Sequence, residues 1–197
     1  MNLGNTKTTY GPLARALHWW MAALIIGLVG LGLYMTDQPD SDPKWALYDL
    51  HKSLGVVAFT LVLVRLAWRR ASPPPDPSAS LSDLEKSAAH AAHFLLYAAM
   101  IALPVSGYLD SAFGGYHISV FGLFDVPLLL GKNDTLFKLA ERTHGLIGYG
   151  LILLVAVHAG AALKHHFVAR DDVLRRMLGT GILTISLGKN ICLKKQG

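Results

Sequence analysis

THGLIGYGLILLVAVHAGAALKHH, residues 143–166, is the stretch that decides the fold. Its body is apolar, and about 20 such residues are enough for a helix to cross a bilayer. It carries His144 near one end and His158 near the other, fourteen positions apart. In a helix that separation is roughly 21 Å of rise and falls about 40° short of four full turns. Both imidazoles therefore leave one face, at two depths of the membrane. A neutral imidazole is tolerated in hydrocarbon when its nitrogens are satisfied, and a metal satisfies one of them well. Two such residues on one helix point to two metal centres stacked across the membrane.

Composition agrees with a membrane setting. Of 197 residues, 52% are hydrophobic and 16% charged, against about 25% charged in soluble domains. The mean hydropathy is +0.39. The net charge of +5 does not indicate nucleic acid, because the basic residues sit in loops and tails that flank apolar runs. The single cysteine, Cys192, excludes a disulfide framework, a CxxCH haem attachment and a cysteine-ligated iron–sulfur cluster. Nitrogen is left as the metal donor, and the chain has nine histidines.

Three further apolar runs precede the first. The expected spans are about 16–35, 46–68, 88–109 and 143–166, in one four-span domain over 1–177. Gly11-Pro12 opens the first, with Trp19 and Trp20 as an interface pair. The Pro-rich 71–80 cannot be helical, and Ser82 with Glu85 has the capping-box pattern for a helix from Asp83. Pro104 is expected to kink the third span. Residues 110–142 should fold over one membrane face, with a short amphipathic segment at 134–142. The tail 178–197 is too weakly apolar to span and has no assigned role. Four spans place both termini on one side, and that side carries thirteen of the eighteen basic residues. The positive-inside rule then makes it the cytoplasm. The expected fold is all-α, an integral membrane four-helix bundle with both termini cytoplasmic.

Depth restricts which histidines can meet. His51 begins a span that starts outside, as does His144; His18 begins a span that starts inside, level with His158. His51 can pair with His144, and His18 with His158. Two trans imidazoles around a planar porphyrin fit each pair, with Gly55, Gly145, Gly148 and Gly160 nearby to admit a flat ring. Bis-histidine ligation fills both axial positions and favours electron transfer over oxygen binding. Any one buried histidine also reads as a hydrogen-bonded packing residue. Zinc would need its ligands converging at one point, which sites about 21 Å apart do not do.

The motifs ALHWW (16–20), LHKSLG (50–55), HAAHFLLYAAMIALPVSGYL (90–109), SVFGLFDVP (119–127), THGLIGYGL (143–151) and HAGAALKHHF (158–167) resemble the prokaryotic cytochrome b561 family, related to the haem b subunits of nickel-iron hydrogenases and formate dehydrogenases. The resemblance covers about residues 10–177. It implies two b haems per chain with His18, His51, His144 and His158 as axial ligands. It also implies electron exchange with the quinone pool of a bacterial inner membrane, and one branch of the family passes electrons from superoxide to ubiquinone. The expected function is electron exchange between a periplasmic donor and quinone, and with superoxide as the donor such a chain is an oxidoreductase in its own right. The alternatives are a haem b anchor subunit docking a periplasmic dehydrogenase or hydrogenase through 110–142, and a haem-free histidine-lined metal or proton transporter. Lys52, His90, His93 and His165 are candidate quinone or propionate contacts, each also readable as an interfacial or helix-end residue. His117 reads as a surface residue. The expected partners are lipid, quinone and a redox donor, with a homodimer as a candidate assembly and no nucleic acid.

Overall fold

A computed structural model describes residues 3–179. Four long helices dominate it: α1 (Pro12–Thr36), α2 (Asp42–Ala71), α3 (Asp83–Gly114) and α4 (Asp134–Lys164). All four are long and apolar enough to cross a membrane; the fourth candidate span extends through a π-helical turn, His165–Ala169. A short helix α5 (Val173–Leu178) follows. The expected role-free tail, 178–197, lies almost wholly outside the described residues. In hydrocarbon no water can serve the backbone, so helices that close their own hydrogen bonds are the natural spanning form.

The helix ends follow local chemistry. Gly11 precedes α1 in extended conformation, and Pro12 fills the first turn, where its missing N–H costs nothing. Ser82 accepts from the Glu85 N–H at 3.3 Å while its own N–H donates to Glu85 Oε2 at 3.0 Å, a complete capping box. Gly115 ends α3 at φ +74°, where a side chain would be strained. Asn133 Oδ1 accepts from the Thr135 and Leu136 N–H groups at 3.1 and 3.0 Å and starts α4. Residues 134–142 are therefore not a separate amphipathic segment but the first turns of α4, which overrules that expectation. Helix α3 runs unbroken through Pro104.

Close backbone packing joins α1 to α2, α2 to α3 and, most extensively, α3 to α4. The bundle is left open between the α1–α2 pair and α4. Few side chains are wholly enclosed: Met21, Val62 and Leu151 are 2% exposed or less. Ile26, Phe94, Leu146, Leu153 and Val157 stay exposed along the helices, as lipid-facing side chains do.

The two ends of the bundle are closed differently. At the loop end, a two-stranded antiparallel hairpin, β1 (Ser119–Val120) and β2 (Phe124–Asp125), turns through Phe121 and Gly122, both at positive φ. The buried Ser53 hydroxyl of α2 lies 3.0 Å from the Ser119 carbonyl and accepts from the Phe121 N–H at 3.0 Å. Tyr108 Oη donates to the Pro127 carbonyl at 3.0 Å and accepts from the Leu129 N–H at 2.9 Å. At the terminal end, Asn5 hydrogen-bonds Ser72, and Trp19 Nε1 donates to the Met177 carbonyl at 3.2 Å. Ser78 donates to Asp172 at 2.7 Å, which also receives Arg176 Nε at 2.7 Å.

Ser53→Ala removes the hydroxyl that fastens the hairpin and the acceptor of the Phe121 N–H; a destabilisation of about 0.5–1.5 kcal/mol is expected from thermal unfolding in detergent. The hydrogen bond from Ser78 and the Arg176 charge hold the Asp172 carboxyl below its usual range. A depressed carboxylate stabilises the fold above its unfolded pKa and loses that contribution as pH falls through the folded one. The melting temperature of the native chain should therefore drop below about pH 4 more steeply than that of Asp172→Asn. Parallel melting profiles would contradict this.

Candidate functional site

His18 lies in the second turn of α1, His51 in α2, and His144 and His158 in α4. The structure brings them together in two pairs. The His51 and His144 ring centroids are 6.2 Å apart at an interplanar angle of 78°. The His18 and His158 centroids are 6.3 Å apart at 65°. All four residues are half-buried and face the gap between α4 and the α1–α2 pair.

An apolar cavity of about 240 Å³ occupies this gap at the loop end. Its wall includes His51, His144, Gly55, Gly145 and Gly148, and it reaches inward to Met21 and Leu151. A Cβ added at Gly55, Gly145, Gly148 or Gly160 would meet nothing within 4 Å, so these glycines border open space. Gly32 and Gly107 are different. A Cβ at Gly32 would stand 3.3 Å from His51 Cε1, and one at Gly107 would stand 3.2 Å from His144 Cε1. At both positions the absence of a side chain is what leaves room for the imidazole. Sequence reasoning missed both, because a glycine inside an apolar run carries no sign of which neighbour it touches.

The Nδ1 atoms have unlike partners. His144 Nδ1 lies 3.0 Å from the Leu103 carbonyl and 3.1 Å from Ser106 Oγ. A carbonyl only accepts, so His144 carries its proton on Nδ1 and leaves the Nε2 lone pair free. This is the orientation that a metal-ligating histidine adopts. His51 Nδ1 is buried without a hydrogen-bond partner. His18 Nδ1 lies 3.0 Å from Arg65 Nη2. Among the described residues no three His, Cys, Asp or Glu side chains form a group able to hold a metal ion by themselves. Each pair brings two imidazoles face to edge across the gap.

The other candidates divide. His93 on α3 packs against His158, with centroids 5.4 Å apart. His90 is exposed and bonds through Nδ1 to the Lys86 carbonyl of its own helix at 2.8 Å. His165 is tied at the terminal surface to Asp171 at 2.6 Å, with Glu85 at 4.0 Å. Lys52 reaches the His117 carbonyl at 3.0 Å and Asp49 at 3.4 Å, so its ammonium fastens the loop-end cap. His117 itself is exposed.

These features define a class: a four-span membrane bundle with paired histidines at two depths. The chain matches the family model described as prokaryotic cytochrome b561 over residues 9–180. It is 39% identical over 180 residues to cytochrome b561 homolog 2 of Escherichia coli (strain K12), covering 91% of this chain and 96% of that one. It is 28% identical over 169 residues to a probable superoxide oxidase CybB of Yersinia pestis, covering 86% and 95%. It is also 30% identical over 132 residues to cytochrome b561 homolog 1 of E. coli K12, covering 66% and 73%. The chain belongs to the prokaryotic cytochrome b561 family. It is a multi-pass bacterial membrane protein that works in electron transport with b-type haem.

The residues present fit that group. Two imidazoles that would hold one metal between them need centroids about 6.4 Å apart, from a bond of about 2.0 Å and a ring radius of about 1.2 Å. Both pairs meet that spacing. The apolar cavity and the free Nε2 of His144 suit a flat porphyrin. Gly107→Val should press on the His144 ring and disturb the loop-end pair alone. The measurement is the haem-to-protein ratio with the reduced-minus-oxidised spectrum. A loss or shift of haem absorbance is expected, and an unchanged haem ratio and spectrum would rule out the role of Gly107 beside His144.

Proposed function

We propose that this protein carries electrons across the bacterial inner membrane by means of two b haems, exchanging them between a periplasmic donor and the membrane quinone pool. The observation that carries the reading is the pair of histidine pairs, with centroids 6.2 and 6.3 Å apart, at the two ends of one bundle. His51 and His144 would hold one haem and His18 and His158 the other. When bound, haem iron with two imidazole ligands supplies reversible one-electron chemistry with no open coordination position.

The protein residues set the conditions for that chemistry. His144, fixed by Leu103 and Ser106, presents a lone pair without a rotamer search on binding. Gly32 and Gly107 leave room for the loop-end imidazoles. The apolar wall excludes water, and Met21 and Leu151, both tightly packed, separate the two levels. The density of basic residues beside the termini supports placing the terminal end in the cytoplasm and the hairpin in the periplasm.

Superoxide as the donor is supported by the similarity to the probable superoxide oxidase of Yersinia pestis. The loop end itself gives that donor little electrostatic help, because acidic side chains outnumber basic ones over 36–52 and 110–142, and Lys52 is engaged. A second reading, a haem b anchor for a periplasmic enzyme, draws on the exposed Phe121, Leu123 and Phe124 of the hairpin. A redox partner that co-purifies in fixed ratio would favour it.

The ligand assignment is tested by single substitutions. His144→Ala and His158→Ala should each retain one haem of the two, with distinct residual spectra. Retention of both haems by either variant would sink the assignment. Stopped-flow reduction by quinol and by superoxide then identifies which compounds exchange electrons with the loaded protein.

A further inference from the structure

The terminal end holds more donors than acceptors. Arg65 of α2 is half-buried and lies over the Tyr97 ring at 5.5 Å, while its Nη2 faces His18 Nδ1 at 3.0 Å. Arg69, one turn further, lies over the same ring at 5.9 Å. Trp68 sits between them in sequence, and its indole nitrogen is buried without a hydrogen-bond partner. All three line a small cavity of about 30 Å³ together with Tyr10 and Tyr97. That is room for a water or two, or for one end of a ligand. Among the described residues, no carboxylate forms an ion pair with Arg65 or Arg69. Guanidinium groups at the edge of hydrocarbon normally find a counter-charge.

His18 makes the shortage of acceptors sharper. A guanidinium only donates, so His18 Nδ1 accepts from Arg65 and the imidazole proton sits on Nε2. A histidine that ligates through Nε2 carries its proton on Nδ1 instead. His18 then ceases to be an acceptor for Arg65. The guanidinium, the Arg69 charge and the Trp68 N–H are left facing one cavity that contains no acidic side chain.

We propose that this cavity is a carboxylate site, in which Arg65, Arg69 and the Trp68 indole N–H receive one propionate group of the haem held by His18 and His158. The site rests on that ligation reading. One carboxylate suits a cavity of this size, and no covalent bond is made or broken. A neutral quinone carbonyl would accept from Trp68 but would leave the half-buried Arg65 without a counter-charge. Arg65 touches His18 on one side and lines the cavity on the other, so a carboxylate tethered to a group at His18 lies within its reach.

Haem exchange tests this without reference to activity. The full chain in detergent is loaded with protohaem or with its dimethyl ester, whose carboxylates are masked, and release to excess apomyoglobin is followed by absorbance. In the native protein one of the two release phases should be about ten-fold slower for protohaem than for the ester. In Arg65→Gln/Arg69→Gln that difference should vanish, and Trp68→Phe should reduce it while keeping the guanidiniums. Equal release of the two porphyrins from the native protein would overturn the site, as would a difference that survives in the double variant. His18→Ala separates the two layers of the argument. If it keeps both haems, the ligation reading has failed and the carboxylate site with it. If it loses the slow phase while the native protein shows no preference for free carboxylates, the carboxylate site alone has failed.

Discussion

An imidazole inside a membrane must have its nitrogens satisfied, and this constraint organises the rest of the bundle. Four of the nine histidines meet in two pairs that bridge the gap between α4 and the α1–α2 pair, and a fifth, His93 of α3, packs against His158. Helices that packed tightly on one another would close that gap. Close packing instead runs around it, from α1 to α2 to α3 to α4. With no water to drive helices together in lipid, an interior cavity lined by glycine and apolar side chains needs support from elsewhere. That support comes from the two ends.

At the loop end the hairpin is fastened to α2 through Ser53 and Lys52, while Tyr108 fixes the strand that follows. At the terminal end the N-terminal segment, the Pro-rich linker and α5 are stitched together by Asn5, Ser78, Asp172 and Arg176. These are polar contacts in the regions where water is available and helix termini need partners. They hold the depth of each helix, and depth is what makes His51 meet His144 and His18 meet His158. A slip of one helix turn, about 5.4 Å along the axis, would be comparable to the ring separations themselves.

The spans and the histidine pairing were legible because both depend on one-dimensional quantities: apolar length, helical rise and charge side. The capping box at Ser82 was legible for the same reason, being a local spacing. The start of α4 was not. Lys138, Glu141 and Arg142 make 134–142 look like a separate surface piece, whereas Asn133 caps a helix that runs on as one rod. Gly32 and Gly107 were not legible either, because their meaning lies in a contact with another helix. The candidate contacts resolved only in three dimensions. Lys52 is spent on the cap and His90 on its own helix, while His93 turns against His158.

The two pairs look alike in ring spacing and differ in what stands behind them. His144 has a carbonyl behind it, which fixes the proton on Nδ1 and strengthens the opposite nitrogen as a donor. His18 has a guanidinium behind it, which holds the proton on the opposite nitrogen. His144 is thus already in the tautomer that ligation would need, beside a cavity lined chiefly by apolar side chains. The terminal-end pair has to exchange its Arg65 contact for something else before it reaches the same state. Next to it lie a second arginine and an indole N–H, each a donor. A purely apolar ligand would answer the first site and leave the second unsatisfied. A ligand with an apolar body and an anionic edge would answer both: the imidazoles would take its centre, and the surplus donors its edge.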